Sequence, residues 1–152
     1  MKTTTCVCTT ILITPRMVLF ENSILKLNYN PATDILEVEY PDLHDFLLPE
    51  IKHSITQMIE VIKNYDVKRL LLDSTKTLIA VSEAESREVA VFLAGALTKT
   101  RVLKVARVQS PSSTIEKTAQ NNIRHIKAQS LSYQLQNFTS KADAVAWLRE
   151  QA

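Results

Sequence analysis

The chain has 152 residues, a formal net charge of +2, and is 45% hydrophobic and 22% charged. That length makes one domain, able to bury about two-thirds of the surface its unfolded chain exposes, and so small a charge gives no argument for nucleic acid or an acidic membrane surface. Its single glycine, Gly95, excludes a P-loop and a dinucleotide fingerprint, which need glycines at fixed positions, and no apolar run approaches the length of a membrane span.

Residues 1–20 are the least readable. Cys6 and Cys8 stand one residue apart, wrong for a zinc knuckle and strained for a mutual disulfide. They read as free thiols in a reducing compartment, so the expected localisation is cytoplasmic. One lysine before a weak, threonine-rich apolar stretch makes a poor signal peptide. A loose arm and an extra edge strand both stay open for this stretch, and residues 21–152 form the domain.

Ile24–Tyr29 and Ile35–Tyr40 alternate, with Leu25, Leu27, Tyr29 and Leu36, Val38, Tyr40 inward. Asn30-Pro31-Ala32-Thr33-Asp34 between them is a turn by composition, so the two runs form a β-hairpin with Lys26 across from Glu37 or Glu39. A helix is predicted from near Leu48 to Tyr65, where Leu48, Ile51, Ile55, Met58, Ile59, Ile62 and Tyr65 recur at three- and four-residue spacing, with Pro49 in the first turn. Val67–Asp73 is a short continuous apolar run closing on polar Ser74-Thr75-Lys76-Thr77, the pattern of a strand buried on both faces. Ser82-Glu83-Ala84-Glu85 is a capping box that starts a second helix, with Val89, Phe92, Leu93, Ala96 and Leu97 inward. Gly95 in that helix points to close packing against a neighbour.

Arg101–Val108 repeats the buried-strand pattern, and Ser110-Pro111-Ser112-Ser113 leads into a third helix with Ile115, Ala119, Ile123 and Ile126 on one face. Leu131–Leu135 alternates as an edge strand, and Ser140 caps a last helix carrying Val145, Trp147 and Leu148. Strands alternating with helices imply parallel βαβ units. The expected fold class is therefore α/β: an N-terminal β-hairpin followed by βαβα units, a mixed sheet of about five strands with about four helices.

Leu71-Leu72-Asp73, then Lys104-Val105-Ala106-Arg107-Val108, then Phe138-Thr139-Ser140 with Ala144, Trp147 and Leu148, make a pattern over roughly Ser23 to the C-terminus. It resembles the bacterial STAS-like group, described as SpoIIAA-like and grouped with CRAL-TRIO lipid-binding domains. The resemblance implies a mixed sheet packed by helices and a binding or regulatory role rather than an enzyme. STAS antagonists of anti-sigma factors carry a phosphorylatable serine in Asp-Ser-Ser-Gly at a helix start. Here the matching helix starts Val81-Ser82-Glu83-Ala84, where Glu83 and Glu85 would repel a phosphate, so that role is not carried over.

Open α/β sheets bind ligands outside the carboxyl ends of their parallel strands. The candidate ligand-binding residues are therefore Asp73, Ser74, Thr75 and Lys76 after one strand, Ser82 at a helix start, and Gln109, Ser110, Ser112 and Ser113 after the next. Helix N-termini at Ser82 and Ser112 could hold an anion there. The alternative is that these are turn and cap residues satisfying the backbone. Lys99, Arg101, Lys104 and Arg107 with Lys117, Arg124 and Lys127 form either a basic patch or a solvated face, without the interleaved aromatics that single-stranded nucleic acid needs. His44, His53 and His125 lack metal-ligand spacing, and no metal or cofactor is expected. His44 between Asp42 and Asp45 is a general base or a solvated loop residue, and Glu37 with Glu39 a carboxylate pair or two solvated neighbours.

The expected function is a non-enzymatic regulatory or protein-interaction domain, with a protein partner or a homodimer. The alternative is a lipid or small-molecule binder for an anionic or apolar ligand, which requires a cavity between helix and sheet of about 300 Å³ or more. Hydrolysis at Asp73/Ser74 lacks a plausible base.

Overall fold

Eight strands and four helices alternate through residues 16–44 and 47–150, the described residues of the computed structural model. The two cysteines and the signal-peptide reading lie outside them. β1 (Met17–Glu21), β2 (Lys26–Asn30) and β3 (Ile35–Glu39) form an antiparallel meander. Then come β4 (Leu43–His44), α1 (Leu48–Asn64), β5 (Arg69–Asp73), β6 (Ile79–Ala80), α2 (Glu83–Leu97), β7 (Lys104–Val108), α3 (Ser113–Lys127), β8 (Gln134–Phe138) and α4 (Lys141–Arg149).

The main sheet has six strands in the order β1-β2-β3-β5-β7-β8, parallel from β3 onward. The fold class is the α/β class expected, with β1 as an additional edge strand. The two-residue strands β4 and β6 pair in parallel as a small second sheet. They escape the sequence because they are too short to show a period.

The order β3-β5-β7-β8 never reverses. Successive crossovers of one hand therefore step the same way and deliver α1, α2 and α3 to one face. Alternation then divides each strand. Leu36, Val38, Leu70, Leu72 and Val105 face α1–α3, joined by Ile51, Ile55, Met58, Val89, Leu93 and Leu97. Ile35, Leu71, Ala106 and Val108 face the other way and are covered by Ala144 and Leu148 of α4. The central strand is thus buried on both faces, as its continuous apolar run requires.

Both predicted caps of α2 and α4 form. Ser82 Oγ accepts from Glu85 N while Glu85 Oε1 accepts from Ser82 N, and Ser140 Oγ accepts from Asp143 N. The hairpin turn closes with Asp34 at φ 56°, a conformation aspartate tolerates, held by the Tyr29 hydroxyl at 2.7 Å and Lys68 N at 3.2 Å.

Several details differ from expectation. The last strand is Gln134–Phe138, three residues later than the alternation suggests, and Tyr133 just before it is buried with its hydroxyl donating to Ala94 O at 3.1 Å. Phe92 stays 37% exposed beside Lys52 of α1. Of the two partners expected for Lys26, the register leaves Glu39 across from it and puts Glu37 across from Asn28, where its carboxylate pairs with Arg16 and Lys141. Gly95 meets nothing: a Cβ added there has no neighbour within 4 Å, so the close-packing reading is wrong. Gly95→Ala is accordingly expected to stabilise the protein by about 0.5–1 kcal/mol through helix propensity and a less flexible unfolded chain, read as a higher urea midpoint.

Candidate functional site

The nine candidate residues do not form one cluster. Asp73, Thr75 and Lys76 line a cleft of about 260 Å³ at the carboxyl edge, with Ser23, Glu39, Tyr40 and Asp42. Much of its polarity serves its own loops. Asp73 Oδ1 accepts from Thr75 N and Oγ1 at 2.9 and 2.6 Å, and Asp42 Oδ1 accepts from Leu78 N. Ser82 is engaged in its capping box. Ser110 Oγ accepts from Ser112 N, Ser112 Oγ caps α3 through Ile115 N, Ser113 opens that helix on the surface, and Gln109 N extends the sheet by donating to Phe138 O.

Ser74 is different. It is 3% exposed, lies on the helix side of the sheet, and its hydroxyl has no partner among the described residues. It lines a second, mostly apolar cavity of about 90 Å³ between the sheet and the α2–α3 pair, partly open to solvent. The walls follow from spacing. Ser86, Ala90, Leu93, Ala94 and Leu97 come from one stripe of α2, and Ile115, Thr118, Ala119, Asn122, Ile123 and Ile126 from one stripe of α3. Ala90, Ala94 and Ala119 are small where the helices face each other, and the gap they leave is the cavity. Leu72, Val105, Leu135 and Tyr133 form the floor, and Tyr40 and Arg107 close the carboxyl end.

Arg107 sits mid-sheet at 8% exposure and needs an internal partner. Glu116 supplies it: Nη1 donates to Oε2 at 2.9 Å and Nη2 to Oε1 at 3.0 Å, while Nη1 also donates to Asn137 Oδ1 at 3.1 Å. Burial disfavours ionised Glu116, but Arg107, Gln120 and the Ser110 N–H together outweigh it and hold the carboxyl below its ordinary value. The α3 N-terminus, expected to receive an external anion, thus already holds an internal carboxylate. Burial pushes Tyr40 up to about 12 against the opposing charge of Arg107, so its phenol stays protonated.

Lys104 and Arg107 also leave the proposed basic patch. Lys104 is 3% exposed, its Nζ donating to Trp147 O and Glu150 O at 2.9 and 3.1 Å and lying 4.7 Å from the Trp147 ring centroid. It sits where the C-terminus of α4 offers free carbonyls. Lys99, Arg101, Lys117, Arg124 and Lys127 remain exposed, with Arg101 3.4 Å from Asp66. His53 and His125 are exposed on different helices, and His44 lies in β4. Among the described residues no group of three or more His, Cys, Asp or Glu could hold a metal ion, and no helix is long and apolar enough to cross a membrane.

Sequence reading placed Tyr40 inward but missed the cavity. The available signal was a lysine and an arginine at alternate faces of a strand whose neighbours are all apolar, which demands partners above and below the sheet. The chain matches no protein-family model, no curated protein and no solved structure.

Proposed function

We propose that this domain binds a small, mostly apolar molecule in the cavity between the sheet and α2–α3, and that it acts by binding rather than catalysis. The observation that carries this reading is a mostly apolar helix–sheet cavity lined by the buried residue Ser74, whose hydroxyl has no partner among the described residues. No side-chain polar atom among the described residues is both fully buried and unpartnered, so this hydroxyl is reached from the cavity, where a guest can supply its bond.

Volume decides the size of the guest. At about 90 Å³ the cavity is below the ~300 Å³ of a drug-sized site and below the ~150 Å³ of an apolar cavity that takes benzene. A lipid chain does not fit; a molecule of a few heavy atoms does. Chemistry supports binding over turnover, because among the described residues no histidine, carboxylate or lysine lines the cavity to serve as a base for Ser74. The STAS-like resemblance and a role in protein interaction rest on the sequence pattern. Of the large exposed apolar residues, Met17 and Val18 are neighbours on the edge strand β1, while Tyr65, Leu78, Phe92 and Leu103 are scattered over the rest of the chain.

The test is a backbone-amide NMR titration with xenon and small neutral organic molecules. Shifts concentrated at Leu72, Ala94, Val105 and Ala119, and lost in Ala119→Leu, are expected. Shifts gathered instead at Asp42, Thr75 and Lys76, or none at high ligand concentration, would sink the proposal.

A further inference from the structure

The cavity has a direction. Strands β5 and β7 run toward the carboxyl edge, so Leu72 precedes Ser74 and Val105 precedes Arg107 along its floor. Helix α2 returns from that edge, beginning beside Ser86 and ending at Leu97. Polar residues therefore gather at the carboxyl end: Ser74, Tyr40, Thr77, Arg107 and Ser86. Leu97, Val105, Ile126 and Tyr133 lie toward the other, and the Tyr133 hydroxyl is already bonded to Ala94 O.

An inventory of the polar end shows what it still lacks. Thr77 Oγ1 is engaged with Tyr40 O at 2.9 Å, and Ser86 Oγ accepts from Asn122 Nδ2 at 3.2 Å. Arg107 is paired with Glu116 in a two-point contact. Three lining hydroxyls are left over, those of Ser74 and Tyr40 on the sheet side and of Thr118 on α3, none with a partner among the described residues. A hydroxyl both donates and accepts. Among the described residues the one cation lining the cavity, Arg107, is already neutralised by Glu116.

We infer that the cavity selects ligands by a neutral oxygen head, a carbonyl or an alcohol, bonded by the Ser74 and Tyr40 hydroxyls, with a short apolar tail toward Leu97 and Tyr133. This rests on the cavity being the binding site. An anionic head would enter beside Glu116 with no free cation to meet it, and an ammonium would be desolvated beside Arg107. A buried charge without a partner costs far more than a buried neutral dipole with its hydrogen bonds made. A carbonyl accepts from both hydroxyls, and an alcohol donates to one and accepts from the other.

The experiment compares butan-2-one, butan-1-ol, butanoate and butylamine, which share a chain length, with xenon as a probe without a head. Dissociation constants come from amide shifts at neutral pH. The ketone or the alcohol is expected to bind at least about ten-fold more tightly than butanoate or butylamine. Tyr40→Phe with Ser74→Ala should remove that preference and leave xenon binding in place. Neither substitution breaks a side-chain bond within the protein, so both variants should fold. Ketone against alcohol identifies which head is preferred. Equal or tighter binding of butanoate or butylamine, or an unchanged preference in the double variant, overturns the head-group assignment while xenon binding keeps the cavity reading. Failure of xenon and all four organic ligands overturns both.

Discussion

Glu116→Ala is expected to destabilise the protein by about 3–5 kcal/mol, among the largest effects of any single polar substitution here. The reason lies in what remains. Arg107 would stay buried with only Asn137 as a side-chain partner, having lost both bonds to the carboxylate, and Ser110 N would lose its acceptor. Replacing both members, Arg107→Met with Glu116→Leu, is expected to cost less than Glu116→Ala alone, because no charge is then left stranded. Urea denaturation of the single and double variants measures this. Equal, additive losses would show that the pair is not acting as a unit.

The same carboxylate shapes the acid limb. Its folded value lies below the ordinary 4.5. It therefore contributes stability that is fully present above that ordinary value and is lost as pH falls through the depressed folded one. Asp66, held down first by its hydrogen bond from Lys68, adds to the same limb from the surface. Glu116→Gln should flatten the loss of stability between roughly pH 5 and pH 2 without abolishing it.

Leu71→Ala is expected to cost about 3–4 kcal/mol. Leu71 is fully buried at the centre of the sheet, in a small cluster with Ile35, Ala106, Val108, Ala144 and Leu148. That cluster is what attaches α4, and a helix of nine residues does not persist without packing. The substitution should therefore also speed amide exchange in α4 before global unfolding. Leu78→Ala, at a position 60% exposed, is the control and should change stability by less than about 0.5 kcal/mol. A Leu71→Ala effect as small as that control would refute the two-sided burial of the central strand.

The parts of the fold visible from sequence are those governed by short-range periodicity. Alternation in Leu25–Tyr29 and Leu36–Tyr40 marks the hairpin. The three- and four-residue spacing of Ile51 to Ile62 marks α1, and Ser82 with Glu85 marks the start of α2. Each is a local signal, because the side chain that makes the bond or faces the core is a few residues from the one that answers it. Gly95 shows the limit of such reading: a glycine in a helix suggests contact, and only the packing around it shows open space.

The candidate site was legible in part. Ser74 belonged to a polar run after a buried strand, so composition could mark the run but could not separate Ser74 from Asp73 and Thr75. Strand alternation combined with the helix layer does that: Ser74 opens into the cavity, while its neighbours turn to the cleft. The crevice rule for open sheets also depends on a reversal of strand order that sends helices to opposite faces. Here the order β3-β5-β7-β8 never reverses, so the apolar cavity lies between the sheet and its one helix layer instead.

By itself, then, the sequence determined the class of the fold, its capped helices and its two-sided central strand, since period, capping and turn chemistry act over a few residues. Only the tertiary structure decided that Arg107 closes on Glu116 beyond a loop, that α2 and α3 face each other across alanines, and that Ser74 and Tyr40 line the same cavity. Those outcomes depend on which surfaces the crossovers bring together, and no local spacing encodes that.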